Sequence, residues 1–223
     1  MITPLLVLAS ASPRRNELLR ELGLTFEVIP GDVEEIASPS MRPADICQIN
    51  AYRKARAVAK HYPDAVVLGA DTLVCLGRNI FGKPADLNEA FAMLSMLQGQ
   101  THEVITGVCL LHLREHRQSA FTVSTTVKFR PLRTSEIRHY FELVDPFDKA
   151  GAYAIQEQGE LIVETVDGSF SNVIGLPLER LAEELAAWGF AMEKIRAANS
   201  AIDPAPPCEI EVRRPTQMSR TKP

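Results

Sequence analysis

The sequence lacks the features that mark several large classes of protein. It contains only four cysteines, with no C-x-x-C pair and no histidine at metal-ligand spacing, so the pattern indicates neither a disulfide framework nor a zinc site. No apolar run approaches the roughly 18 to 20 residues of a membrane-spanning helix. A basic start followed by an uninterrupted apolar run, the mark of a signal peptide, is also missing. We therefore expect reduced thiols, a cytoplasmic location and no membrane partner.

An excess of positive charge is missing as well. The chain has 24 Lys and Arg against 28 Asp and Glu, a formal net charge of -4. This balance provides no basic surface for nucleic acid, so any polyanion that the protein binds should be small and held at one local site. A hydrophobic content of 46% over 223 residues is typical of one globular domain, or of two small lobes around one core, and excludes global disorder.

Strand and helix patterns alternate along the chain, which predicts an α/β fold with a mixed β-sheet and flanking helices. The apolar runs that predict strands are 4–10, 25–30, 65–76, 101–113 and 119–132, the last two pairing with each other. The predicted helices are 13–22, 42–62, 86–99, 134–144 and 177–190. Residues 148–156 should form a glycine-bearing loop that runs into a strand, and 160–175 a hairpin that turns at Asp167 and Gly168.

The periodic pattern ends at Phe190. Residues 203–223 contain five prolines and no core pattern. We therefore predict one domain over residues 1–190 and a mobile C-terminal tail over 191–223.

The stretch LASASPRRNELL, residues 8–19, leads from a strand into a helix whose first turn carries Arg14 and Arg15. The helix dipole disfavours positive charge there, whereas the free backbone N–H groups of a helix N-terminus bind anions. Two guanidiniums at this position are explained if they bind phosphate oxygens through paired hydrogen bonds. A solvated basic turn, or a Ser-Pro modification site, explains this stretch alone equally well.

Asp71 interrupts the apolar run VVLGADTLVCL, where an unpartnered carboxylate would lose its solvation. Gly69 indicates a close backbone approach, and the turn that follows the strand could return Lys83 to the neighbourhood of Asp71. Glu34 and Glu35 could then complete an oxygen-donor site for Mg²⁺ or Mn²⁺. The alternatives are an aspartate at a strand end that is satisfied by backbone donors, and a solvated acidic turn.

Six segments follow one another along the chain: LASASPRRNELL, GADTLV, GKP, TGV, DKAGAYAIQ and GSFSNVIGLPLE. In this order they resemble the motif series of the Maf family of nucleotide pyrophosphatases, first named for inhibition of septum formation, and the resemblance covers about residues 5–188. It implies an α/β fold in two lobes around a cleft, similar to the inosine triphosphate pyrophosphatases. It also implies a divalent cation, Mg²⁺ or Mn²⁺, a cytoplasmic location and often a homodimer.

Within that family the chain is most similar to the branch that acts on dTTP and UTP. The resemblance implies that Arg14, Thr72 and Gln156 set base specificity and that Asp71 is the catalytic acidic residue. It further implies a polar cleft lining formed by Ser10, Arg15, Glu35, Lys54 and Lys83. Many relatives have an acidic residue where this chain has Arg53, a departure that concerns local ion pairing and not the reaction.

The expected reaction is hydrolysis of a nucleoside triphosphate between its α and β phosphates, which needs an activated water and cations around the leaving pyrophosphate. Arg15, Lys54 and Lys83 would hold the phosphates. Asp71 would activate the water, either directly or as a metal ligand together with Glu35, and the sequence leaves both routes open. The alternative function is a nucleotide-binding regulator of cell division that does not turn its ligand over.

Overall fold

One mixed sheet of eight strands runs through the part of the chain that the computed structural model describes, residues 4–38, 40–191 and 211–213. The strands are β1 (Leu6–Leu8), β2 (Phe26–Val28), β3 (Val66–Leu76), β4 (Asn79–Phe81), β5 (Thr101–His112), β6 (Arg117–Phe129), β7 (Val163–Asp167) and β8 (Glu211–Arg213). The helices are α1 (Pro13–Glu21), α2 (Pro43–Ala59), α3 (Leu87–Leu97), α4 (Thr134–Leu143), α5 (Phe170–Ile174) and α6 (Leu178–Ala187). Short 3-10 turns occupy Ala150–Ala152 and Gly159–Leu161.

The strand order is β2-β1-β3-β5-β6-β7-β8, with β4 paired to the end of β3. Strands β2, β1 and β3 are parallel to one another, β3 to β7 are joined by antiparallel pairs, and β8 is parallel to β7. The predicted mixed sheet and the predicted pairing of β5 with β6 are therefore confirmed.

Strand β3 has one edge that is paired throughout and one that is interrupted. Strand β5 covers the first edge from Val66 to Cys75. On the other edge, β1 ends its pairing at Leu68 and β4 begins at Val74. Among the described residues no strand pairs with 69–73 on that side. Asp71 lies in this gap, in the part of β3 that lines a cleft.

Helix α2 packs directly on β3 and β5 because two glycines leave room for its backbone. A Cβ atom at Gly69 would lie 2.2 Å from the carbonyl oxygen of Ala51, and one at Gly107 would lie 2.4 Å from the carbonyl carbon of Cys47. The close approach predicted at Gly69 is confirmed. Small Ala51 and Ala55, both fully buried, face the sheet at this point.

Two lobes lie on either side of the gap in β3. In the first lobe, α1 and α6 pack on β1 and on the adjoining parts of β3 and β5. In the second, α3, α4 and the segment 152–155 pack around the far ends of β3, β5 and β6. The predicted arrangement of two lobes around a cleft is thus present.

Two predictions are wrong. The predicted loop over 148–156 is present but does not run into a strand there, and 160–175 do not form a hairpin: β7 pairs with β6, and the chain then enters α5. The cause lies after Gly168, which has a φ of 126°. The side chain of Ser169 accepts a hydrogen bond from the backbone N–H of Asn172 at 3.1 Å, so it caps a helix where a returning strand was expected.

Little of the predicted tail falls within the described structure. Glu211–Arg213 forms β8, and residues 192–210 and 214–223 lie outside the described residues. Cys47, Cys75 and Cys109 are buried free thiols, as expected, and Cys208 lies outside the described ranges. Each helix in the described ranges is too short or too polar to traverse a bilayer.

Replacing Gly69 with alanine should destabilise the fold. The added Cβ would force α2 off the sheet, and overpacking of this kind costs about 1–3 kcal/mol of unfolding free energy. Gly82→Ala is the matched control, since no atom lies within 4 Å of a Cβ there. Urea denaturation of both variants measures the difference, and equal unfolding free energies would contradict the close packing.

Candidate active site

A cleft opens between the two lobes at the gap in β3, and its lining is rich in charge. The charged side chains that line it are Arg14, Arg15, Lys54, Lys83 and Lys149, against Glu35, Asp71 and Asp148. Positive charge therefore exceeds negative charge locally, although the whole chain carries a net charge of -4. The expectation of one local site for a small polyanion is consistent with this distribution.

The centre of the cleft is a lysine held between two carboxylates. The Nζ atom of Lys54 donates to Asp71 Oδ1 at 2.7 Å and to Glu35 Oε1 at 2.5 Å. The Asp71 side chain is 6% exposed and that of Glu35 is 57% exposed. Partial burial alone would raise the pKa of Glu35, but the hydrogen bond and charge of Lys54, with the charges of Lys83 and Arg15, outweigh it and lower that pKa.

Asp71 has a second partner that comes from the same helix as Lys54. The side-chain amide of Asn50 donates to Asp71 Oδ2 at 3.1 Å. Asn50 and Lys54 are four residues apart on α2, so both side chains project from one face of the helix. Each carboxylate oxygen of Asp71 is therefore oriented by a donor from α2.

Arg15 lies at the base of the cleft and joins three elements. Its guanidinium donates to the carbonyl oxygens of Ala70 and Gly175 and to Thr72 Oγ1, each at 2.9 Å. Desolvation lowers the pKa of Arg15, and the nearby carboxylates partly offset this effect. The side chain thus connects α1 to the open edge of β3 and to the turn between α5 and α6. Thr72 itself is held by Thr106, with 3.0 Å between the two hydroxyl oxygens.

Arg14 spans the mouth of the cleft. Its Nη1 donates to Asp148 Oδ2 at 2.6 Å and its Nη2 to the backbone oxygen of Asp148 at 2.9 Å. Burial raises the pKa of Asp148, but hydrogen bonds from Lys149 and Arg14 outweigh it, and the net pKa is lowered. The adjacent arginines therefore have different surroundings, since Arg14 meets the opposite lobe and Arg15 meets the base of the cleft.

Of the remaining predicted site residues, two line the cleft and one does not. Lys83, just beyond β4, and Gln156 are exposed and line the cleft. The return of Lys83 to the neighbourhood of Asp71 is as predicted. Ser10 is not part of the lining: it lies behind it, where its hydroxyl accepts from the Ser12 backbone N–H at 3.2 Å and from Arg15 at 3.4 Å.

Sequence reasoning missed two residues of this site. Asn50 was overlooked because a single asparagine among the apolar residues of α2 has no spacing that distinguishes it. Lys149, only 5% exposed, donates to the Asp145 carbonyl at 2.8 Å and to Asp148 Oδ1 at 2.7 Å. The sequence feature that could have identified Lys149 is its position inside the segment DKAGAYAIQ.

The chain is similar to known proteins over most of its length. Residues 5–188 match the family described as Maf-like protein. A dTTP/UTP pyrophosphatase of Akkermansia muciniphila is 47% identical over 85% of this chain and 99% of the relative. A protein of the same name from Symbiobacterium thermophilum is 44% identical over 83% of this chain and 94% of the relative. One from Exiguobacterium sibiricum is 46% identical over 82% of this chain and 92% of the relative. The structure of a HAM1 protein from Coxiella burnetii is distantly similar, with 15% sequence identity and a TM-score of 0.47. The match covers 82% of this chain and 98% of that one.

Loss of the Arg15 guanidinium should destabilise the protein more than loss of the Arg14 guanidinium. Arg15→Ala leaves two carbonyl oxygens without their donor, and a hydrogen bond from a charged group is worth about 1.5–3 kcal/mol. Arg15→Lys should not restore stability, because one ammonium cannot reach three acceptors spread around a planar fork. Urea denaturation checks the order. An Arg14→Ala variant as unstable as Arg15→Ala would contradict it.

Proposed function

The chain belongs to the family of Maf-like proteins, and from its cleft we propose that it is a nucleoside triphosphate pyrophosphatase that acts on dTTP and UTP. Water adds to the α-phosphorus, which is joined through a bridging oxygen to the β-phosphorus. The bond from that phosphorus to the bridging oxygen breaks, and pyrophosphate leaves with its electron pair. The products are the nucleoside monophosphate, pyrophosphate and one proton. The observation that carries the proposal is Asp71 held against Lys54 in a cleft with an excess of cations.

The cations have separate roles in holding the triphosphate. Lys83 is exposed in the cleft lining and is available to phosphate oxygens. Lys54 lies between Asp71 and Glu35 and neutralises charge next to the reacting phosphorus. Arg15 keeps its main hydrogen bonds within the protein and contributes its positive charge from the base of the cleft. Such fixed cations stabilise the charge that develops on the leaving pyrophosphate without reorganising during the reaction.

Asp71 is the group that activates water. Its carboxylate is fixed by donors on both oxygens, one from Lys54 and one from Asn50. Lone pairs on these oxygens remain to accept the proton of a water molecule, or to hold a metal ion that carries the water. Both routes require the same anionic side chain in the same place.

The two carboxylates fit a divalent cation such as Mg²⁺ or Mn²⁺. No group of three His, Cys, Asp or Glu among the described residues could hold a metal by itself. Mg²⁺ is commonly bound by one or two carboxylates, with substrate phosphates and waters as its other ligands. Glu35 and Asp71 both reach the same ammonium group, so they can reach a common cation. When bound, the cation would lower the pKa of a coordinated water and neutralise phosphate charge.

Base recognition is assigned to the part of the cleft around Gln156. Its amide offers one donor and one acceptor group, which match the O4 and N3–H edge of uracil or thymine. Val104 and Ile155 add apolar lining to the same cleft. Arg14 and Thr72 are included in this assignment from the family pattern.

A nucleotide-binding regulator without turnover is less favoured. A protein that only binds phosphate is served by arginine and backbone donors, and it gains nothing from a pair of carboxylates among them. The predicted homodimer stays a prediction. A cytoplasmic location is proposed together with the function, supported by three buried free thiols.

The proposed function is tested by product analysis. Purified protein is incubated with dTTP, UTP, CTP or GTP and Mg²⁺ or Mn²⁺, and the products are separated by ion exchange. We expect pyrophosphate and the monophosphate, with dTTP and UTP turned over fastest. Successive release of orthophosphate, or no turnover, would overturn the proposal. Activity that persists in excess chelator would exclude the metal from the proposed reaction but would still support hydrolysis of the nucleotide.

Asp71→Asn should lower kcat about 100-fold or more, in line with the loss of a general base or of a charged metal ligand. The fold should survive because asparagine is nearly the same size and still accepts a hydrogen bond from Lys54. Asp64→Asn is the matched control, since Asp64 is exposed and pairs with Arg114 outside the cleft. Circular dichroism verifies folding, and near-normal kcat in folded Asp71→Asn would exclude Asp71 from the chemistry.

A further inference from the structure

We propose that Asn50 is a positioning residue that holds the two cleft carboxylates, Asp71 and Glu35, in one fixed arrangement. Asn50 lies on α2, one turn before Lys54, and is 2% exposed. Its amide binds Asp71 on one side and the backbone of Ile36, the residue after Glu35, on the other. The inference rests on the proposed function, because it concerns the carboxylates to which the chemistry is assigned there.

The orientation of the Asn50 amide follows from its partners. The backbone N–H of Ile36 can only donate, so the atom 2.8 Å from it must be the amide oxygen. The Asn50 NH₂ group then faces the Ile36 carbonyl and Asp71 Oδ2, each at 3.1 Å. Both donor hydrogens and the acceptor are used, and a flipped amide would place donor against donor at Ile36.

The segment that carries Glu35 depends on such contacts for its position. Residues 29–38 form neither helix nor strand. Arg53 donates to the Glu34 carbonyl at 3.2 Å, and a Cβ atom at Gly31 would lie 2.6 Å from the Lys54 carbonyl oxygen. The segment therefore lies directly on α2. Asn50 anchors it at Ile36, where both backbone groups are bound, and the same side chain reaches Asp71.

The third hydrogen bond of Asn50 connects the segment at Ile36 to the carboxylate of Asp71. Asparagine is less favourable than leucine inside a helix, and its burial is tolerated only with its polar atoms paired. The two contacts with Ile36 would suffice to anchor the segment. The remaining N–H is directed at the carboxylate assigned to water activation, and it fixes the oxygen that Lys54 does not bind.

Two variants separate the contacts. Asn50→Leu is close in size and removes every hydrogen bond. Asn50→Asp keeps an acceptor for the Ile36 N–H but replaces the donor to Asp71 with a second carboxylate. Val58→Ala is the matched control: Val58 lies on the same helix, is 4% exposed and packs away from the cleft, so its truncation lowers stability without touching a carboxylate.

Two measurements are made on the full-length protein. Steady-state kinetics with UTP should show kcat lowered about 10- to 100-fold in both Asn50 variants, the range for losing a group that orients a catalytic or metal-binding carboxylate. KM should change less than about threefold, because contacts with the rest of the nucleotide remain. Hydrogen exchange without metal or nucleotide should show the Ile36 amide protected in wild type and Asn50→Asp, and unprotected in Asn50→Leu. Val58→Ala should keep wild-type kcat and Ile36 protection.

Wild-type kcat in folded Asn50→Asp would overturn the proposal, as would a Val58→Ala variant that loses kcat to the same extent. Should Asn50→Leu fail to fold, Asn50→Asp alone decides the kinetic part. A wild-type protein without any turnover would count against the proposed function. In that case the exchange of the Ile36 amide still supports or overturns the positioning of the segment.

Discussion

The close packing of α2 on the sheet is the constraint on which the rest of the site depends. Gly69, which faces Ala51 and Ala55, and Gly107, which faces Cys47, allow the helix backbone to approach β3 and β5 more closely than larger residues would permit. At that distance short and long side chains of one helix face reach the same strand. Asn50 and Lys54 both bind Asp71 directly across this close contact.

The cleft lies where the pairing along one edge of β3 is interrupted. Because β1 and β4 pair with the two ends of one edge, the middle of that edge keeps backbone groups that no strand in the described part of the chain pairs with. Arg15 binds the Ala70 carbonyl, and Asp71 faces the cleft. An acidic chain thereby gathers an excess of cations at one site. The same gap separates the lobes, so the charged groups meet where two hydrophobic cores end.

The helix and strand predictions succeeded where the signal is local. Helix α1 begins at Pro13 with Ser12 as its N-cap, because proline and serine at those positions favour a helix start whatever the rest of the fold does. The prediction of a hairpin at Asp167 and Gly168 was wrong although its signal is also local. A turn signal and a helix cap are both local and compete here: Ser169 caps α5, and β7 pairs with β6 instead of with a following strand.

By itself, the sequence determined the mixed α/β fold, the concentration of positive charge at one site and the presence of Asp71 and Lys83 in one cleft, since each follows from periodicity, net charge or a short hairpin. Only the tertiary structure decided which charged groups touch. Arg14 and Arg15 are neighbours in the chain, yet one binds Asp148 of the opposite lobe and the other binds Ala70 and Gly175. Asn50 contacts Asp71 only because α2 packs on β3. These partners are distant in sequence, and no local pattern encodes a contact that depends on how two elements pack.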